Sequence, residues 1–180
     1  MEPTSVAVFG SSETIEGERL YDDARRLGRA LGAAGYRVVT GGYGGVMEAA
    51  SRGAAEVGGA TLGVISTVFR ARTPNRFLAQ VLSTPSLHER TRALIELSQG
   101  YVVLWGKSGT LAEATLVWAL TRAESLDARP VIVLGDAWAR LVGLLTAEGM
   151  LEERDLRTTR CVRSPDEVIA ALRDVWRERE

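Results

Sequence analysis

The sequence predicts a doubly wound α/β fold: a parallel sheet with helices on both faces, formed by a single domain over residues 1–180. Three observations carry this. Short β-rich apolar runs alternate with segments of helical periodicity along the whole chain. The runs are apolar at nearly every position, as strands buried on both faces must be. Glycines cluster directly after the runs, where such sheets place ligands beyond the carboxyl ends of their strands.

Each element has its own reason. VAVFG (6–10) is β-rich and ends at Gly10. Between Gly17 and Gly35, apolar residues at Leu20, Ala24, Leu27, Leu31 and Ala34 keep helical spacing. YRVVTGG (36–42) reads as a strand closed by glycines, and Val46 to Gly58 as a helix stopped by Gly58-Gly59. TLGVIS (61–66) is the third strand. Residues 67–76, with a proline among Arg70, Arg72 and Arg76, read as a loop, either solvated or covering a cleft. QVLST (80–84) reads as a short strand and Leu87 to Ser98 as a helix. YVVLW (101–105) has the strongest strand pattern and precedes a helix from Thr110 to Leu126. PVIVLG (130–135) is the next strand. Ala137 to Glu148 and Pro165 to the end complete the helices, the last with proline at its start. Trp118, with Leu116, Val117 and Leu120, makes its helix apolar around most of its girth. That fits a face against a second subunit or a helix buried within one domain.

Composition removes several classes. A net charge of −1 speaks against a broad nucleic-acid or polybasic membrane surface. No apolar run reaches the length of a membrane span, and MEPTSVAVFG has no basic leader region, so neither a membrane partner nor a signal peptide is expected. One cysteine, Cys161, forms no internal disulfide, and with the single His88 makes no His/Cys metal cluster. The expectation is a reducing cytoplasm, no metal and no resident cofactor.

Two motif readings fail. Lys107 is the chain's single lysine, and Gly106-Lys107-Ser108 looks like the end of a phosphate-binding P-loop. That motif needs glycine at 101, where this chain has Tyr101, and its loop would consist of the strand YVVLW. The dinucleotide fingerprint fails because GGYGGVME lacks its third glycine.

The glycine loops keep a role. Gly41, Gly42, Gly44 and Gly45 stand where a strand turns into a helix, so backbone amides and the helix N-terminus can meet an anion there. Gly106, Lys107, Ser108, Gly109 and Thr110 repeat the arrangement, with Thr110 as the expected N-cap. Gly10, Ser11 and Ser12 follow the first strand, where the hydroxyls can cap a helix or donate to a ligand. Glu48 sits in a first helical turn, which favours a carboxylate in any case. Two readings of Glu113 stand side by side. Thr110-x-x-Glu113 is a capping box, and the same carboxylate can face a sugar bound at the cleft mouth. His88 reads first as a packing or capping residue, Arg92 as part of a solvated face.

Several stretches together resemble the lonely-guy (LOG) family, often labelled lysine decarboxylase-like: VFGSS (8–12), GGYGGVMEAASRGAAEVGG (41–59), LHERTRALIELSQGYVVL (87–104) and GTLAEATLVWAL (109–120). The family pattern reads GGG-x-x-G-[LI]-M-E, then M-H-E-R-K, then P-G-G-x-G-T-x-x-E. The resemblance covers nearly the whole chain. It implies a Rossmann-like homodimer, or higher homo-oligomer, that hydrolyses the N-glycosidic bond of nucleoside 5′-monophosphates, notably N6-modified AMP, to free base and ribose 5-phosphate. It maps Glu113 and Arg90 onto the catalytic glutamate and arginine, Gly109 and Thr110 onto the G-T pair, and Gly41, Gly42 and Gly45 onto the second loop. A carboxylate suits the positive charge that builds on a ribose ring during cleavage, and an arginine can hold phosphate or help the base depart.

The departures define the alternative. Trp105-Gly106-Lys107 replaces P-G-G, and Arg90-Thr91 replaces R-K, so one cation is lost at 91 and another appears at 107. A lysine decarboxylase of that kind needs a Schiff-base lysine, and the one candidate, Lys107, stands in a loop where the family pattern has glycine. Related superfamily members that are not hydrolases bind or carry nucleotide-containing cofactors, including molybdenum cofactor. The second expectation is therefore a non-catalytic nucleotide or cofactor carrier using the same cleft.

Overall fold

The computed structural model describes residues 3–178. Seven strands form one parallel sheet: β1 (Ser5–Phe9), β2 (Arg37–Thr40), β3 (Thr61–Ser66), β4 (Gln80–Thr84), β5 (Gly100–Val103), β6 (Val131–Leu134) and β7 (Thr159–Val162). Their spatial order is β4-β3-β2-β1-β5-β6-β7. The chain winds outward from β1 to one edge, then returns and winds from β5 to the other. The crevice between β1 and β5 is therefore the topological switch point, where such sheets bind ligands.

Side-chain alternation splits the core in two. Val6 and Val8 of β1 meet one layer, built from α1 (Arg19–Ala33), α2 (Val46–Ala55) and α7 (Pro165–Arg177). Ala7 and Phe9 meet the other, built from α3 (Leu87–Glu96), α4 (Ser108–Arg122), α5 (Asp136–Ala147) and α6 (Glu153–Leu156). Both faces of the inner strands are thus apolar, which explains their unbroken hydrophobic runs. The doubly wound α/β expectation holds. Residues 179 and 180, included in the expected last helix, lie outside the described residues. No helix among the described residues is long and apolar enough to cross a membrane.

Three local expectations are corrected. The strand read over 101–105 ends at Val103, yet its backbone tracks β1 further: Leu104 N donates to Phe9 O at 2.9 Å and Ser11 N to Trp105 O at 3.0 Å. Helix α4 starts at Ser108 with Lys107 as its N-cap residue, so Thr110 lies inside the first turn and is not the cap. Residues 153–162 gained no element from the sequence, yet hold α6 and β7. Both are four residues long. α6 is closed by a capping box between Glu152 and Asp155, and β7 is an edge strand with Arg160 and Cys161 inside it, so neither shows an apolar run. Trp118 is internal, 4 % exposed, and its indole donates to Thr159 Oγ1 at 3.1 Å, tying α4 to that edge strand.

Helices α1 and α2 pack with almost no side chain between them. A Cβ on Gly28 would collide with the Ala50 carbonyl oxygen, and one on Gly53 with that of Arg25. These obstacles are backbone and cannot swing aside. Gly53→Ala is expected to lower stability by about 1–3 kcal/mol through overpacking, although alanine is the better helix former by about 1 kcal/mol. Urea unfolding reads the sign, and a stabilised variant would show that the helices tolerate a wider gap.

Candidate functional site

Beyond the switch point, the loops after β1, β2, β3 and β5 enclose a cavity of about 200 Å³. The loops are stitched to one another. Ser11 N donates to Trp105 O, and Val46 N, the first amide of α2, donates to Ser11 O at 2.8 Å. Gly45, at φ 69°, has no room for a Cβ against the Ser11–Ser12 backbone. The α2 N-terminus is therefore already partly capped by the β1 loop.

Helix α4 presents the opposite case. No side chain caps it, and its first backbone acceptor bond is Leu111 N to Lys107 O. Among the described residues, the amides of Ser108, Gly109 and Thr110 find no acceptor. Gly109 and Thr110 line the cavity, so an open helix N-terminus faces it.

Arg90, from α3, is buried beneath the cavity. Its Nε donates to Val64 O at 2.9 Å and Nη2 to Gly41 O at 3.2 Å, with Met47 Sδ also near Nη2 at 3.7 Å. A Cβ at position 41 would occupy the space of this guanidinium, which is the physical reason for glycine there. The rings of Tyr43 and Phe69 lie 5.7 and 5.9 Å away. The remaining nitrogen, Nη1, faces Glu113 Oε1 at 3.8 Å. Burial pulls the guanidinium below its ordinary range, and Glu113 opposes that pull.

Glu113 lines the cavity with its side chain 13 % exposed. It does not fold back on Thr110, and accepts no hydrogen bond among the described residues, so the capping-box reading fails here. Burial raises its pKa to about 7, against the lowering influence of Arg90. A carboxyl group poised near neutral, beside a fixed cation and an open helix N-terminus, can take a proton from water or hold a sugar hydroxyl.

Gly10, Ser11, Ser12, Gly41, Arg90, Lys107, Gly109, Thr110 and Glu113 all line the cavity. Ser11 Oγ accepts from Glu13 N at 3.1 Å, a local turn and not the helix cap expected of that hydroxyl, since α1 begins at Arg19 with Glu18 as its N-cap residue. Gly42, Gly44 and Gly45 lie outside the lining. Glu48 also lies outside, its carboxylate accepting from Tyr21 Oη at 3.1 Å between α1 and α2. Gly106 and Ser108 line a neighbouring apolar hollow with Trp105, Leu111 and Trp138. Lys107 lines both and pairs with Glu13 at 2.6 Å, each 62 % exposed. Its φ of −93° is ordinary for a side-chain-bearing residue, so the lysine sits unstrained where the lonely-guy pattern has glycine. His88 is exposed and outside the lining, and Arg92 pairs with Glu96 on the surface. Sequence reasoning missed Glu13, Tyr43, Met47, Phe69 and Leu87 as lining residues; Arg72, named in a loop either solvated or covering a cleft, lines the cavity, whereas Arg70 and Arg76 do not. An aromatic between two glycine pairs was the one available signal, for Tyr43.

Residues 3–169 match the sequence model of the SLOG cluster4 family. The chain belongs to that family. This agrees with the lonely-guy resemblance of its loops. The SLOG cluster4 chain is 29% identical over 139 residues to a cytokinin riboside 5′-monophosphate phosphoribohydrolase from Rhodococcoides fascians, covering 74% of this chain and 69% of that protein. It is 31% identical over 120 residues to the pyrimidine/purine nucleotide 5′-monophosphate nucleosidase of Escherichia coli K12; the match covers 62% of this chain but only 26% of that enzyme. Among solved structures, the molybdenum cofactor binding protein of Rippkaea orientalis superposes with a TM-score of 0.78 at 21% identity, covering 98% of this chain and 99% of that one. The single-stranded-DNA-binding DNA processing protein A of Helicobacter pylori superposes at 0.64 and 22% identity, covering 96% and 81%. At these identities the structural likenesses establish the Rossmann-like fold and nothing about ligands. Among the described residues no cluster of His, Cys, Asp and Glu is arranged for a metal ion.

Folded Glu113 keeps its proton to about pH 7, whereas the unfolded side chain releases it near 4.5. The native state therefore binds more protons between these values, and stability falls as pH rises through that window. Glu113→Gln mimics the protonated form. It is expected to match wild-type stability near pH 4 and exceed it at pH 8 by about 1–3 kcal/mol. Urea unfolding at the two pH values tests this, and equal stabilities at pH 8 would contradict a buried, proton-retaining carboxyl.

Proposed function

We propose that this SLOG cluster4 protein hydrolyses the N-glycosidic bond of nucleoside 5′-monophosphates, N6-modified AMP among them, to free base and ribose 5-phosphate. The observation that carries the reading is Glu113: a carboxyl group with pKa raised to about 7, lining a cavity and facing a backbone-locked arginine. In this reading the phosphate sits at the open amides of Gly109 and Thr110, where the α4 dipole favours an anion. Gly10, Ser11, Ser12, Gly41 and Lys107 complete the binding surface. The ribose then lies against Glu113.

Cleavage sends the C1′–N bonding electrons to the base, which leaves as it takes a proton from solvent. Water bonds to C1′ and its proton passes to the Glu113 carboxylate. The same carboxylate balances the positive charge that grows on the ring. Arg90 has two nitrogens committed to Val64 O and Gly41 O, so Nη1 is the atom available to donate to a ribose hydroxyl or the departing base. The names of the two nucleotide-cleaving relatives support the substrate class. The proposal includes a cytoplasmic setting, a small-molecule partner rather than nucleic acid, and assembly of two or more copies, for which α4 leaves the apolar side chains of Leu111 (41 % exposed) and Leu116 (38 %) at the surface.

A second reading is nucleotide or molybdenum-cofactor carriage without turnover. One observation favours it: the Lys107–Glu13 ion pair spans the β1 and β5 loops at the cavity rim, where the lonely-guy pattern has glycine at 107.

Release of free base from a panel of nucleoside 5′-monophosphates separates the two. Wild type is expected to release base, and Glu113→Gln to lose about 10²–10⁴-fold in rate. Because the carboxylate is the working form, kcat/KM should rise with pH through about 7 and level off above it. Nucleotide binding without base release, in wild type at pH 8, would establish the carrier.

A further inference from the structure

Five charged side chains line the cavity: Glu13, Arg72, Arg90, Lys107 and Glu113. Four of them are matched, Lys107 with Glu13 at 2.6 Å and Arg90 with Glu113 at 3.8 Å. Arg72 is the cation left over. Among the described residues its side chain forms no ion pair and no hydrogen bond. It stands instead over the rings of Phe69 and Tyr43, at 5.1 and 5.7 Å from their centroids. These are the same two rings that Arg90 faces.

The arrangement is held from outside the site. Tyr43 is buried and its hydroxyl both donates to Ser66 O, at 3.1 Å, and accepts from Ser66 N, at 3.0 Å. Phe69 meets Tyr43 edge-on, with centroids 5.6 Å apart. Asn75 fastens the far side of the loop, its N–H donating to Gly42 O at 2.9 Å and its amide nitrogen to Tyr43 O at 3.0 Å. Two guanidiniums therefore share one aromatic pair, close enough that Arg72 helps pull the Arg90 pKa down. Like charges gathered with one cation unmatched are stabilised by an anion that arrives with the ligand. An exposed, stacked guanidinium keeps its donors free for that anion.

We propose that Arg72 is a phosphate-reading residue that makes the cavity select phosphomonoesters over free nucleosides. This rests on the nucleotide reading of the same cavity. The α4 amides fix where the phosphate sits, and Arg72 closes on it from the opposite loop. Arg70, exposed on the same loop and absent from the cavity lining, serves as the control for loop charge.

The test is calorimetric titration of AMP, adenosine and inorganic phosphate into wild type, Arg72→Ala, Arg72→Gln and Arg70→Ala, with thermal unfolding to verify that each variant is folded. Both Arg72 variants are expected to lose about tenfold or more in AMP affinity and to lose detectable phosphate binding, while adenosine is little affected and Arg70→Ala behaves as wild type. Unchanged AMP affinity in Arg72→Ala and Arg72→Gln overturns the proposal, as does an equal loss for adenosine, which would place Arg72 on the base or sugar. Normal, Arg72-dependent AMP binding without base release leaves this assignment standing and removes the hydrolase reading alone. A wild type that binds neither AMP nor phosphate overturns both.

Discussion

The site depends on burying one guanidinium. Taking Arg90 out of water is costly unless its donors are satisfied, and the chain satisfies them with backbone rather than carboxylates. Val64 O comes from β3, and Gly41 O from the end of β2. A side chain from α3 thus ties together two strand ends and the helix that covers them. Residue 41 must be glycine to admit it, and Tyr43, Met47 and Phe69 enclose what remains. One nitrogen is left facing the cavity, and among the described residues Glu113 is the carboxylate placed to meet it.

The separation of that pair matters as much as its existence. At 3.8 Å without a hydrogen bond, Arg90 attracts Glu113 too weakly to offset burial, so the carboxyl rises toward neutral. A tight bidentate pair would have held it ionised and occupied. A distant one would have left it protonated throughout. The intermediate geometry yields a group that can exchange a proton near pH 7, and its position one turn inside α4 places it beside open amides. Stability is sacrificed there, as is common for groups that must be poised rather than satisfied.

Much of this was legible before any coordinates. Unbroken apolar runs identified the inner strands because both sheet faces are covered, and glycines after them marked the end where the cavity lies. Glu113 and Arg90 were legible only as members of spaced motifs, since a lone Thr-x-x-Glu spells a helix cap equally well. The cap failed because α4 begins at Ser108, two residues before the threonine, a boundary that periodicity does not resolve. The short edge elements over 153–162 had no apolar run to betray them. The glycines of 41–45 were read as one anion loop, yet Gly41 makes room for Arg90 and Gly45 for the β1 loop. Phe69 escaped for a different reason: its loop has no period, and its place in the site arises from a ring contributed by residue 43. Arg72 was legible only as one of three arginines in a loop either solvated or covering a cleft.

Divergence in this chain falls at the rim rather than at the centre. Position 107 carries the chain's single lysine, yet its backbone is unstrained and its ammonium reaches Glu13 across the mouth. An exposed pair of this kind contributes at most about 1 kcal/mol, so it can open for a ligand at little cost. Beneath it, Arg90, admitted by Gly41, faces Glu113, the arrangement on which the proposed cleavage rests. In the proposed reading, a substitution that altered the bond being broken would have to disturb those buried residues. Changing glycine to lysine at the rim instead alters the charge and width of the entrance. In the hydrolase reading, the expected consequence is a shift in which nucleotides are admitted, with the proposed chemistry at Glu113 left as it was.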